Sequence, residues 1–168
     1  MDIDILNRKL KKIKFVLTDN DGVLTDTGVY YSAKGEELKR FSIRDGMGVE
    51  RLRNLLSIET GIITGELSGS VETRAAKLKI TELHLGVKDK KKILNEILFT
   101  HQLTGEEIAF IGDDVNDIEI IKSVGFSASP ADAMEEIKKL VDYVCINKGG
   151  NGAFRELAEL IIAAQLKQ

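Results

Sequence analysis

Cysteine is nearly absent. Cys145 is the only one in 168 residues, so no internal disulfide can form and nothing points to secretion. No apolar run approaches the roughly 20 residues of a membrane span. The stretch Met1 to Leu10 is polar where a signal peptide would carry its apolar core. A cytoplasmic location is therefore expected. Basic residues are not in excess: 24 Lys and Arg against 27 Asp and Glu leave a net charge of -3. That balance gives no electrostatic reason to expect nucleic acid or an anionic membrane as partner. The two histidines, His84 and His101, are too few for a metal cluster and are expected in the core or on the surface. One proline, Pro130, and the absence of repeats or low-complexity stretches argue against an interdomain linker. What is present is an ordinary globular composition, 43% apolar and 30% charged, and the expectation is one domain over residues 1–168.

Strand-like and helix-like patterns alternate. Short apolar, often β-branched runs occur at Ile13–Thr18, Ile58–Thr64, Leu83–Leu85, Ile108–Ile111, Phe126–Ala128 and Tyr143–Ile146. Helical patterns are read at Val49–Leu56, Ser70–Leu78, Lys91–Leu103, Asn116–Val124, Ala133–Val141 and Phe154–Leu166. Strands covered by helices on both faces imply a doubly wound α/β fold with a mostly parallel sheet. One segment interrupts the alternation. Gly28–Ser42 reads as a β-hairpin turning at Ala33-Lys34-Gly35. Tyr30 and Tyr31 are expected to pack within it rather than to stack on bases, since no basic groove accompanies them.

In open α/β sheets ligands bind beyond the carboxyl ends of the strands. Four polar turns fall there: Asp19-Asn20-Asp21-Gly22, Thr64-Gly65-Glu66, Lys88-Asp89-Lys90 and Gly112-Asp113-Asp114-Val115-Asn116-Asp117. These residue types suit phosphomonoester hydrolysis. A carboxylate can accept the phosphoryl group. A hard cation with oxygen ligands, Mg²⁺, shields that carboxylate from the phosphate charge. Fixed donors and a positive charge stabilise the transferring group. Asp19, Asp113, Thr64 and Lys90 match these parts. Asp21, two residues along an extended chain, points to the same side as Asp19 and can protonate the leaving oxygen. Plainer readings accompany each: acidic turn residues, helix caps at Asp113 and Asp114, and a solvated basic run around Lys90.

Together the four turns resemble the motifs of the haloacid dehalogenase-like superfamily. The resemblance implies Asp19 as nucleophile and metal ligand. It implies Asp21 as acid/base and as a metal ligand through its carbonyl. Asp113 would be the third metal ligand, Asp114 and Asp117 supports, and Thr64, Gly65 and Lys90 the phosphate holders. With only a hairpin where a cap domain would stand, and with DGVLTD, Gly35-Glu36-Glu37-Leu38-Lys39, the Arg44-Asp45-Gly46 turn and the tail Gly149–Glu156, the chain is similar to the capless 3-deoxy-D-manno-octulosonate 8-phosphate phosphatase family. That implies a small acidic sugar phosphate as substrate. It also implies a homotetramer in which a neighbour helps close the site, with Arg44 and Arg155 meeting substrate or neighbour. Asn20 stands where an apolar residue is usual, and Glu66 where Arg is usual. Glu66, Arg74 and Lys77 are together closer to the phosphatases of nine-carbon keto-deoxy sugar acids. The expectation is therefore a slight preference for a nine-carbon acid such as 2-keto-3-deoxynononate 9-phosphate, with the eight-carbon octulosonate as alternative. Two other classes compete. One is a non-catalytic domain of the same fold, which should have lost Asp19, Asp21, Thr64 or Asp113. The other is a phospho-accepting receiver, which the order of the acidic clusters disfavours.

Overall fold

The computed structural model describes residues 3–166. The expected domain, 1–168, and the polar stretch read from Met1 run past the described residues at their ends. Helix α1 (Ile3–Leu10) leads into β1 (Phe15–Thr18), the hairpin β2 (Thr25–Ser32) and β3 (Gly35–Phe41), and α2 (Ile43–Leu56). There follow β4 (Glu59–Ile63), α3 (Gly69–Leu78), β5 (Glu82–His84), α4 (Lys90–His101), β6 (Ile108–Ile111) and α5 (Ile118–Ile121). The described residues end with β7 (Phe126–Ser129), α6 (Glu135–Lys138), β8 (Tyr143–Val144) and α7 (Ala153–Leu166).

Six strands form one parallel sheet in the order β5-β4-β1-β6-β7-β8, the doubly wound arrangement expected. All four residues of β1 are buried, and their alternation divides the core. Val16 packs with Leu10, Leu52, Val71 and Leu157 under α1, α2, α3 and α7. Phe15 and Leu17 pack on the other face with Leu94, Ile120 and Ile137 under α4, α5 and α6. Apolar burial on both faces is why these strands read as unbroken hydrophobic runs. Thr18, at the end of β1, is in register with Ile62 of β4 on one side and Ile111 of β6 on the other. Connections leave β1 in both directions, so a crevice opens beyond Thr18.

Four elements differ from expectation. Helix α2 begins at Ile43, because the Ser42 hydroxyl accepts from the N–H groups of Arg44 (3.1 Å) and Asp45 (3.4 Å) as an N-cap. The expected Arg44-Asp45-Gly46 turn is thus the first turn of a helix. Gly46 and Gly48 concealed it, being poor helix formers. Helix α1 was not foreseen. Its Leu10 is buried, and Gln165 of α7 donates to the carbonyls of Leu10 (3.0 Å) and Ile13 (2.7 Å) just beyond it. The helix expected at Asn116–Val124 is made as a 3-10 turn, Val115–Asp117, that runs into α5 and stops three residues early, while the one expected at Ala133–Val141 shortens to the single turn α6.

The hairpin forms a separate two-stranded antiparallel sheet, standing where a cap domain would be inserted. Tyr30, Tyr31 and Leu38 are each more than half exposed. The packing expected of the tyrosine pair is therefore not made within this chain.

Candidate active site

The strand order β5-β4-β1-β6 brings all four polar turns side by side. Asp19 follows β1 directly, and its N–H donates to Ile111 O of β6 (3.0 Å). Its side chain is buried. Oδ1 accepts from the N–H of Asn20 (2.6 Å) and Oδ2 lies 2.8 Å from Lys90 Nζ. Lys90 opens α4, whose N-terminus is capped by Asp89 through the N–H of Lys92 (3.0 Å). The basic run is therefore split. Lys90 is buried, while Lys88 and Lys91 are exposed. Lys90 Nζ also reaches Asp117 Oδ1 (2.6 Å), and Asp117 Oδ2 accepts from the N–H of Asp113 (3.0 Å). Asp117, fully buried, thus ties the β6 turn to the lysine.

Carboxylate oxygens of Asp19, Asp113 and Asp117 lie within 4.8 Å of one another. Burial, and next the charge of Asp117, raise the Asp19 carboxyl well above the usual carboxylate range despite the adjoining Lys90 ammonium. Burial together with the charges of Asp19, Asp117 and Asp114 pushes Asp113 up to about 8. A knot of crowded, partly dehydrated carboxylates beside one lysine suits a hard divalent cation with oxygen ligands, and the residues fit magnesium. Gly22 makes the approach possible. Its φ is +80°, and a Cβ there would lie 1.9 Å from Asp113 Oδ2. The tail supports the same loop from behind. Gly150 N–H donates to Val23 O (2.8 Å), and a Cβ on Gly149 would meet Gly22 O at 1.9 Å.

Asp21 is half-buried. Its Oδ1 accepts from Lys39 Nζ (2.7 Å), Asn20 Nδ2 (3.1 Å) and Thr25 Oγ1 (3.3 Å), and its Oδ2 from Lys39 Nζ (2.9 Å). Thr64 is buried, its Oγ1 accepting from the N–H of Glu66 (3.2 Å). Asp19, Asp21, Thr64, Gly65, Glu66 and Asp113 line one cleft of about 320 Å³, together with Asp114. Asp114 is exposed and its carboxylate caps the following turn through the N–H of Val115 (2.7 Å).

The remaining expected residues fall elsewhere. Arg74 donates to Ser42 O (2.9 Å) and lies over the Phe41 ring at 5.8 Å. With Lys77 it lines a groove of about 710 Å³ between β3 and α3. Arg44 and Arg155 line a third cleft, of about 390 Å³, where Arg155 pairs with Glu159 (2.7 Å). His84 and His101 both reach the Glu82 carboxylate (2.6 and 2.8 Å) at the sheet edge. Lys39 was not singled out from the sequence. Period-two alternation would turn Leu38 inward and Lys39 outward. The strand does the reverse, leaving Leu38 64% exposed and Lys39 buried on Asp21.

A buried aspartate with a lysine and a carboxylate cluster at the carboxyl edge of a doubly wound sheet is the apparatus of a phosphoric monoester hydrolase. A family model for haloacid dehalogenase-like hydrolases matches residues 61–157. The chain is 39% identical to the 3-deoxy-D-manno-octulosonate 8-phosphate phosphatase of Haemophilus influenzae, over 96% of this chain and 89% of that one. The Yersinia pestis phosphatase of the same name superposes with a TM-score of 0.94 at 40% identity, covering 96% of this chain and 87% of that one. The Moraxella catarrhalis phosphatase, solved with magnesium, phosphate and a KDO molecule, gives a TM-score of 0.93 at 35% identity, covering 98% and 94%. The chain belongs to the haloacid dehalogenase-like hydrolases, in the capless 3-deoxy-D-manno-octulosonate 8-phosphate phosphatase family. Among the described residues no helix is long and apolar enough to cross a membrane.

Proposed function

We propose that this chain, as one capless unit over residues 1–168, hydrolyses the phosphomonoester of 3-deoxy-D-manno-octulosonate 8-phosphate through an aspartyl-phosphate. The observation that carries this reading is the buried Asp19, held between a backbone N–H and Lys90 in a cleft that Thr64 and Gly65 also line. Asp19 Oδ attacks phosphorus as the bond to the sugar oxygen breaks, and Asp21 gives that oxygen a proton. Asp21 then takes a proton from the water that attacks phosphorus, and the Asp19–phosphate bond breaks to release inorganic phosphate. Lys90, the Thr64 hydroxyl and the Gly65 N–H hold the phosphoryl oxygens throughout. The carboxylates of Asp19 and Asp113 and the carbonyl of Asp21 would hold magnesium, which when bound neutralises charge between nucleophile and phosphate. Asp117 fixes Lys90 and the Asp113 loop, and Asp114 orders the solvent edge of the cleft.

The eight-carbon substrate is favoured over the nine-carbon acid expected from Glu66, Arg74 and Lys77. The relatives compared carry the octulosonate activity in their names. Glu66 sits in the Asp19 cleft, whereas Arg74 is already engaged by Ser42 and Phe41. Glu66 would accept from sugar hydroxyls, while Arg74 and Lys77 lie along the groove into which a sugar acid would extend. Arg44 and Arg155, in a separate cleft, would serve a neighbouring subunit. The exposed Tyr30, Tyr31 and Leu38 offer the hairpin surface for a homotetramer. Phosphate release from eight-carbon, nine-carbon and neutral sugar phosphates, with and without Mg²⁺, tests the assignment. The expected ranking has the octulosonate phosphate highest in kcat/KM, with Asp19→Asn lowering kcat by several orders of magnitude. A higher kcat/KM for the nine-carbon ester would refute the substrate, and an active Asp19→Ala enzyme would refute the covalent route.

A further inference from the structure

We infer that Lys39, reaching in from the hairpin, is the positioning residue that aims the Asp21 carboxyl at the leaving oxygen. The inference rests on the phosphatase reading above and deepens it. Lys39 occupies β3 opposite Val29, and its side chain is 1% exposed. A lysine buried this far must be paired, and it has two acidic neighbours. Both Asp21 oxygens lie within 2.9 Å of Nζ, and Glu36 lies at 3.5 Å. Glu36 in turn accepts from the hydroxyl of Ser68, the residue before α3. A continuous chain of side chains, Ser68, Glu36, Lys39 and Asp21, therefore locks the hairpin to the acid/base.

The donors on Asp21 are unequal. Oδ1 is held by Lys39, Asn20 and Thr25, and Oδ2 by Lys39 alone. With Oδ1 anchored by three donors, Oδ2, held by Lys39 alone, is the oxygen left with room to face the leaving oxygen, and the ammonium fixes the plane of the carboxyl. Lys39 also lines the groove between β3 and α3. It thus stands at the seam between that groove and the cleft that Asp21 lines, where the ester oxygen must lie if phosphate occupies one and sugar the other.

A group that aims a proton matters in proportion to the need for that proton. An alkoxide leaving group requires it, and a nitrophenolate leaves readily without it. The test compares kcat/KM, which reports steps through departure of the leaving group, for 3-deoxy-D-manno-octulosonate 8-phosphate and p-nitrophenyl phosphate in wild type, Lys39→Met and Lys39→Gln. The Met variant should lose at least tenfold more on the sugar ester than on the aryl ester. The Gln variant, which retains a donor, should fall between it and wild type. Vanadate inhibition should be unchanged in both, because the phosphate site is intact. Should Lys39→Met fail to fold, the Gln variant decides by the same ratio. Equal losses on both esters, or no loss on either, would overturn the role of Lys39. A wild-type enzyme that releases phosphate from neither ester would instead count against the phosphatase reading itself.

Discussion

The Asp45 carboxylate, in the first turn of α2, accepts from the backbone N–H groups of Gly152 (3.1 Å) and Arg155 (2.9 Å) at the start of α7. A helix start leaves its first N–H groups without internal partners. Here the partner comes from a second helix, and Asp45 is 1% exposed. Burial raises its carboxyl, against the hydrogen bonds from the α7 backbone. Replacing Asp45 with Ala strips one buried and one part-buried donor of their acceptor, at a cost of about 1–3 kcal/mol. Urea denaturation should show a lower midpoint with an unchanged slope. The α7 tail also braces the Gly22 loop, so Mg²⁺ affinity should weaken in the same variant.

Lys90 pairs with Asp19 and Asp117 at once, both buried. Lys90→Met leaves Asp117 as an uncompensated buried carboxyl, a change that typically costs about 3–5 kcal/mol. It also removes a fixed charge from the transferring phosphoryl group, for which losses of roughly 10²–10³ in kcat are typical. Lys90→Arg keeps the charge but not the volume, so it should retain more stability than activity. Thermal denaturation and steady-state kinetics on both variants separate the two roles.

Gly22 bears on the metal site by shape alone. A methyl group at this position would occupy space taken by Asp113 Oδ2, and φ of +80° is costly for any residue with a Cβ. Gly22→Ala should therefore displace Asp113 and weaken Mg²⁺ binding at least tenfold, in the range typical when the supports of a metal ligand are disturbed. Calorimetric titration with Mg²⁺ checks this, and a variant with wild-type affinity would contradict it.

Much of the site was legible because the parallel sheet converts sequence order into spatial order. Asp19, Thr64 and Asp113 each come within two residues of the end of a strand, and β4, β1 and β6 are neighbours. Asp117 was legible only as a support, since the sequence carries no sign that it would share Lys90 with Asp19. Lys39 was legible only as the last residue of the Gly35–Lys39 run, not as the partner of Asp21. Its burial depends on the hairpin folding back over Asp21, a long-range placement that local alternation contradicts. The spread of Glu66, Arg74 and Lys77 over two cavities was hidden for the same reason. Their side-chain types suggested one ligand shell, but Arg74 turns toward Ser42 and Phe41 instead.

The pH dependence of metal binding follows from the raised carboxyls. Asp113 is pushed up to about 8 and Asp19 is also raised, in both cases chiefly by burial. Raised acids keep protons in the folded protein that the unfolded chain has already released near pH 4. Their contribution to stability is therefore full below that pH, and it is lost as pH rises toward 8. A cation binds the deprotonated form, so it must displace those protons at low pH and meets fewer of them at high pH. Apparent Mg²⁺ affinity should increase from pH 6 to pH 8, with proton release on binding that shrinks over the same interval. The rise in Tm on adding Mg²⁺ after EDTA treatment should be larger at pH 8 than at pH 6. Calorimetry in two buffers of different ionisation enthalpy measures the proton count directly. An affinity flat across this window would mean that Asp19 and Asp113 are already ionised at pH 6.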